Sequence, residues 1–127
     1  MFSTVGGGAG SIGDIASLLS RGFAMASTDT GHEGQGVEFA ALPEPLIDYT
    51  YRGVHLATQL VKASIEKYYQ RDIEYPYLSG CFEGGRAAML ETTLFPNDYD
   101  GIIAGPPPLF QFLEFIPWAI AGSRKQA

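Results

Sequence analysis

Larger apolar residues recur at three- and four-residue intervals at Ile47, Tyr51, Val54, Ala57, Val61, Ile65 and Tyr68, which predicts a long amphipathic helix over Ile47 to Tyr68. Shorter patterns surround it. Met1 to Val5 reads as the tail of a strand, followed by the glycine-rich run Gly6 to Gly13. Asp14 is placed to cap a short helix with Ile15, Leu18 and Leu19 on one face, and Gly22 to stop it. Phe23 to Ser27 predicts a buried strand, and Thr28 to Pro45, with its glycines and prolines, a loop. After the long helix come a strand over Pro76 to Gly80, a helix over Gly84 to Phe95 stopped by Pro96, a turn over Asn97 to Asp100 and a strand over Gly101 to Gly105. Strands alternating with helices are the order of a parallel α/β sheet.

Beyond Pro106-Pro107-Pro108 the pattern changes. Leu109 to Ile120 carries Phe110, Phe112, Phe115 and Trp118, an aromatic surface too large to face water alone. Two readings stay open: a severed interface that packs on a lid or missing sheet, or a terminal helix lying on the domain's own core. The chain is thus divided into a partial core, residues 1–105, and an aromatic tail, residues 106–127.

The chain has 127 residues, short of the roughly 200 to 250 that a whole α/β enzyme domain often needs, so a fragment is expected, truncated at its N-terminus and lacking a C-terminal half. Eight basic against fourteen acidic residues give a net charge of −6, which argues against nucleic acid or an anionic membrane as partner. No apolar run approaches the roughly 20 residues that span a bilayer, and the N-terminus lacks the pattern of a signal peptide, so the compartment stays unknown. Cys81 is the single cysteine, which excludes an internal disulfide and a cysteine-paired zinc site. No cofactor and no metal are expected.

The candidate chemistry lies where the strand ending at Gly80 turns through Cys81-Phe82-Glu83-Gly84-Gly85 into a helix. That is the layout of a nucleophile elbow, in which a serine sits at the tip of a sharp strand-to-helix turn between small residues. Gly80 and Gly84 hold the flanking places and Phe82 the tip, whose ring has no oxygen or sulfur with which to attack a carbonyl carbon. Ser79 lacks the glycine two residues before it, and the Cys81 thiol is expected buried, pointing away from the tip.

The glycine run supports two functions. Gly8-x-Gly10-x-x-Gly13 matches the dinucleotide fingerprint, with Asp29 placed to take a ribose hydroxyl. Against it, the preceding strand is a stub and Asp14 puts negative charge at the phosphate site. The preferred reading is an oxyanion loop, in which backbone N–H groups of Gly6, Gly7 and Gly8 act with that of Glu83.

Taken with Ser27-Thr-Asp-Thr-Gly-His32, Tyr51-Arg-Gly-Val-His55 and Phe95-Pro-Asn-Asp-Tyr-Asp-Gly-Ile-Ile-Ala-Gly105, the elbow and glycine loop make the chain resemble the tannase and feruloyl esterase family across most of residues 4–105. The resemblance implies an incomplete α/β-hydrolase, a partial parallel sheet flanked by helices. It also implies a serine esterase ancestry, with esters of gallic, ferulic or related aromatic acids as substrates and a Ser-Asp-His triad. The family elbow reads Cys-Ser-x-Gly-Gly, so Cys81, Gly84 and Gly85 match while Phe82 stands in the serine's place. The cysteine's family partner, the triad Asp and His, and the lid calcium site have no counterpart in this sequence. His32 and His55 match motif positions outside the triad and are expected to satisfy hydrogen bonds; Asp98 and Asp100 are expected to form turns.

Loss of the nucleophile predicts an inactive esterase. The alternatives are a non-catalytic module that holds an aromatic ligand or a partner, a dinucleotide-binding unit, and a decayed product with no stable fold.

Overall fold

The computed structural model describes residues 2–5, 12, 16–34 and 38–107. The glycine run, Asp14, and the aromatic tail beyond Pro107 lie outside them. Four strands, β1 (Phe2–Val5), β2 (Met25–Ser27), β3 (Tyr77–Gly80) and β4 (Gly101–Ala104), form one sheet in the order β2-β1-β3-β4. Every pairing is parallel, with Val5 opposite Gly80 and Gly80 opposite Ala104. The chain leaves β1 toward one edge, then crosses back to place β3 on its other side. The C-terminal ends of β1 and β3 therefore flank a switch in winding direction, where open α/β sheets bind ligands.

The helices differ instructively from their sequence expectation. Helix α1 spans Ala16–Leu19 and ends before Gly22, whose φ of 85° suits a residue without a β-carbon. The expected loop to Pro45 is corrected: a 3₁₀ turn covers Glu38–Ala41 and α2 begins at Pro43 (Pro43–Ile47). Prolines are tolerated there because the first-turn N–H groups have no intrahelical acceptor to lose. A π-helical turn, Asp48–Arg52, then joins α2 to α3 (Gly53–Tyr69), with the Gly53 N–H donating to the Asp48 carbonyl. Arg52 bridges Glu44 and Asp48 along this rod at 2.5 and 2.6 Å.

The π turn inserts extra backbone per turn and breaks the apolar phase read along the sequence. Val54 and Thr58 are the buried residues of α3, whereas Tyr51 and Tyr68 of the expected stripe are exposed, Tyr68 by 80%. Thr58 is tolerated inside because its hydroxyl donates to the Val54 carbonyl at 2.8 Å and meets the Tyr99 hydroxyl.

Helix α4 (Glu83–Leu94) lies on β3 and β4 through its buried residues Gly84, Gly85, Ala87 and Ala88. These small side chains let the helix come close. The core joins Val54, Leu78, Ala87, Ala88 and Tyr99, with Ile102 and Ala104 packed against it.

Candidate functional site

The chain passes from β3 to α4 in two residues, and Phe82 carries the bend at φ 55° and ψ −113°. A side chain in that region costs about 1 to 3 kcal/mol, to be met by surrounding structure. Two glycines make the bend possible. A β-carbon on Gly80 would strike the Gly84 carbonyl, and one on Gly85 would strike the Gly105 carbonyl. Hydrogen bonds then fix the turn: Gly84 N–H to Cys81 O and Arg86 N–H to Phe82 O, both at 3.0 Å, with Gly105 N–H to Gly80 O at 2.7 Å behind it. The Phe82 ring is 49% exposed, so it is not buried in the core. Cys81 corrects an expectation: its thiol is free and the residue is exposed, the turn having carried it out of the sheet.

Arg86 braces the first turn of α4. Its Nε donates to Glu83 Oε2 at 2.8 Å, an oxygen that also accepts from the Tyr49 hydroxyl at 2.8 Å. The other guanidinium nitrogens donate to the carbonyls of Thr50 and Tyr49 at 3.1 and 2.8 Å, and the cation lies 4.4 Å from the Tyr49 ring centre. Glu83, directly after Phe82, is thus tied to the π turn by a largely buried ion pair. Nothing in the sequence pattern announced this brace, because the π turn that supplies its carbonyls leaves no periodic signature.

The histidines separate. His32 stacks on Phe39 with ring centres 3.7 Å apart and lies edge-on to Tyr49 at 5.8 Å. Its Nδ1 is buried without a hydrogen-bond partner, contrary to the expectation of a satisfied ring. His55 stacks on Phe95 at 3.8 Å and its Nδ1 lies 2.7 Å from Asp98 Oδ2. Asp98 does sit in a turn, its N–H donating to the Phe95 carbonyl at 3.0 Å. Yet its buried side chain is a hub rather than a surface turn former: Oδ1 accepts from Gln59 at 2.7 Å, and Lys62 donates to its carbonyl.

Glu91 of α4 faces this hub. Its carboxyl is pushed up to about 7, first by burial and then by the Asp98 carboxylate, which repels a second charge and accepts a hydrogen bond from the protonated acid; Lys62 opposes the shift. Donor atoms of His55, Glu91 and Asp98 lie within 4.8 Å of one another, the one such group among the described residues. Both Asp98 oxygens already have hydrogen-bond partners and an ammonium closes on its carbonyl, so the cluster is a hydrogen-bonded knot rather than a cation cage.

Asp29, the acid expected to take a ribose under the dinucleotide reading, instead accepts the Gly31 N–H on its own Oδ1 at 2.9 Å and closes a local turn. Gly6, Gly7 and Gly8 lie outside the described residues. A cavity of about 240 Å³, lined by Phe23, Ile65, Tyr69, Ile73, Tyr75 and Tyr77 among others, opens at the N-terminal ends of the strands, away from Phe82. Among the described residues no helix is long and apolar enough to cross a membrane.

Residues 3–125 match the family model for tannase and feruloyl esterase. The chain is 36% identical over 108 residues to a protein named probable feruloyl esterase B-2 from Neosartorya fischeri, covering 84% of this chain and 20% of that one. It is 39% identical over 104 residues to the mono(2-hydroxyethyl) terephthalate hydrolase of Piscinibacter sakaiensis, covering 75% and 17%. The crystal structure of feruloyl esterase B from Aspergillus oryzae superposes with a TM-score of 0.77 at 33% identity, over 84% of this chain and 22% of that one. The described sheet and helices are thus part of an α/β-hydrolase fold. The chain spans about a fifth of the length of the curated relatives it matches.

Proposed function

Because this chain belongs to the tannase and feruloyl esterase family, we propose that it is the nucleophile-turn portion of a carboxylic ester hydrolase for aromatic-acid esters of the gallate or ferulate type, made catalytically silent by Phe82. The observation that carries the reading is the backbone at Phe82: a positive φ on a large side chain, held between Gly80 and Gly84 at the end of a central parallel strand. A serine in that bend would project its hydroxyl at the C-terminal edge of the sheet, where a substrate carbonyl can approach.

On this reading each residue has a role. Gly80, Cys81, Gly84 and Gly85 form the elbow. The Glu83 N–H, held by the Arg86 and Tyr49 brace, and those of Gly6, Gly7 and Gly8 are the oxyanion donors. Residues 1–105 belong to the hydrolase core and 106–127 lead toward the lid. Phenylalanine at the tip leaves nothing to attack the ester, and loss of a triad serine costs on the order of a million-fold in turnover.

The test is hydrolysis of methyl ferulate and methyl gallate by the purified chain. Rates at the level of buffer are expected. Turnover typical of a serine esterase from the Phe82 chain would overturn the assignment.

A second reading has one observation in its favour: the half-exposed Phe82 ring is kept on a strained backbone. A non-catalytic module that stacks an aromatic acid on this ring would be stabilised thermally by ferulate or gallate. An unchanged melting midpoint at saturating ligand counts against it.

A further inference from the structure

Behind the Phe82 turn, the segment between α4 and β4 is held by polar groups for which ester chemistry has no use. Helix α3 supplies three: His55 Nδ1 lies 2.7 Å from Asp98 Oδ2, Gln59 donates to Asp98 Oδ1 at 2.7 Å, and Lys62 donates to the Asp98 carbonyl. Helix α4 supplies Glu91 from the other side, 1% exposed against 6% for Asp98, with its Oε2 lacking a hydrogen-bond partner. Two buried carboxylates with oxygens within 4.8 Å of one another repel if both are ionised, and an unpartnered buried oxygen is costly. One proton removes both difficulties, because it cancels a charge and supplies a donor.

We propose that Glu91 and Asp98 hold a single proton between their carboxyl groups, and that this proton latches the 95–100 turn onto α3 and α4. The turn feeds β4 directly, with the Asp100 N–H on the Pro76 carbonyl at 2.9 Å. Strand β4 leads to Gly105, whose N–H holds the Gly80 carbonyl and whose own carbonyl backs Gly85. Releasing the latch therefore loosens the support of the Phe82 bend from behind.

Among the described residues the charged and titratable groups near Glu91 are Asp98 from the turn, His55 and Lys62 from α3 and, lining a small cleft with it, Asp48, Tyr49 and Tyr51 of the π turn; the nearby Tyr99 hydroxyl is engaged by Thr58. Burial and Asp98 favour the protonated acid, Lys62 the ionised one, and burial dominates, which places the Glu91 carboxyl at about 7 against an ordinary 4.5. Between those values the folded chain holds a proton that the unfolded chain has released. The latch is therefore fully effective below the lower value and is lost as pH rises through the upper one.

The experiment uses the chain as it stands, with ¹³C-labelled glutamate side chains followed by NMR from pH 4 to 8.5, beside thermal melts of the wild type and Glu91→Gln. One glutamate carboxyl, absent from the spectrum of Glu91→Gln, is expected to titrate near 7. The unfolding constant of the wild type rises by up to about a hundred-fold more than that of the variant between pH 5 and 8. If Glu91→Gln does not fold, the titration decides alone. All glutamates titrating together near their ordinary value, parallel pH profiles, or no cooperative melt at any pH would overturn the proposal. None of these readouts involves activity, so they stand or fall apart from the esterase reading.

Discussion

Gly80 and Gly84 meet backbone to backbone: a β-carbon on the first would occupy the space of the second's carbonyl group. Rigid backbone cannot swing aside as a side-chain tip can. Gly80→Ala is therefore expected to cost about 3 kcal/mol, by forcing β3 and α4 apart. Gly22→Ala is the control. It carries a positive-φ strain that Gly80 lacks but has no atom within 4 Å of the new carbon, so a loss of only about 1 kcal/mol is expected. Denaturant melts of both variants check the difference, and equal losses would show that space at the bend is not limiting.

Phe82 is the converse case. Its φ of 55° belongs to a residue without a β-carbon, and its ring gives little burial in return. Phe82→Gly is expected to stabilise the chain by about 1 kcal/mol, strain relief outweighing the extra entropy of the unfolded glycine. A lower melting midpoint would mean that the ring makes contacts worth more than the strain.

The parts legible in the sequence were those punctuated by glycine and proline. Pro96 and Gly101 bracket the turn before β4, and Gly80 to Gly85 mark the bend into α4, so both strands and α4 fell within a residue or two of expectation. What escaped was geometry with no periodic trace. The π turn at Asp48–Arg52 shifts the face of α3, so Tyr51 leaves the core and Thr58 enters it. Polarity also misled. Asp98 read as a turn former, and Glu91 and Arg86 drew no reading at all, because a sequence pattern scores a side chain's charge and not the partners that distant elements bring to it.

Arg86 gives that point a measurable form. Arg86→Met removes the donors to Glu83 Oε2 and to the Tyr49 and Thr50 carbonyls while keeping the apolar stem, and is expected to cost about 3 kcal/mol. Arg86→Lys should recover less than half of this, since a single ammonium cannot reach three acceptors lying in different directions. Urea melts of both variants provide the check; full recovery by lysine would reduce the brace to a point charge.

Leu78 tests the sheet itself. It is wholly buried on β3 and packs within the one core cluster of the described residues. Leu78→Ala is expected to cost about 2 to 5 kcal/mol, enough to leave much of so small a domain unfolded at 37 °C by circular dichroism. A loss below about 1 kcal/mol would mean that β3 is not central.

The most direct measurement of the central claim is made in a chimera. Residues 3–107 would replace the matching segment of feruloyl esterase B from Aspergillus oryzae, once as they stand and once with Phe82→Ser, and methyl ferulate hydrolysis would be compared. Silence with phenylalanine and turnover with serine is the result expected from the proposed place of residue 82 at the nucleophile's turn. Equal silence from two folded chimeras, or equal turnover, would contradict the assignment of Phe82 to the nucleophile's place.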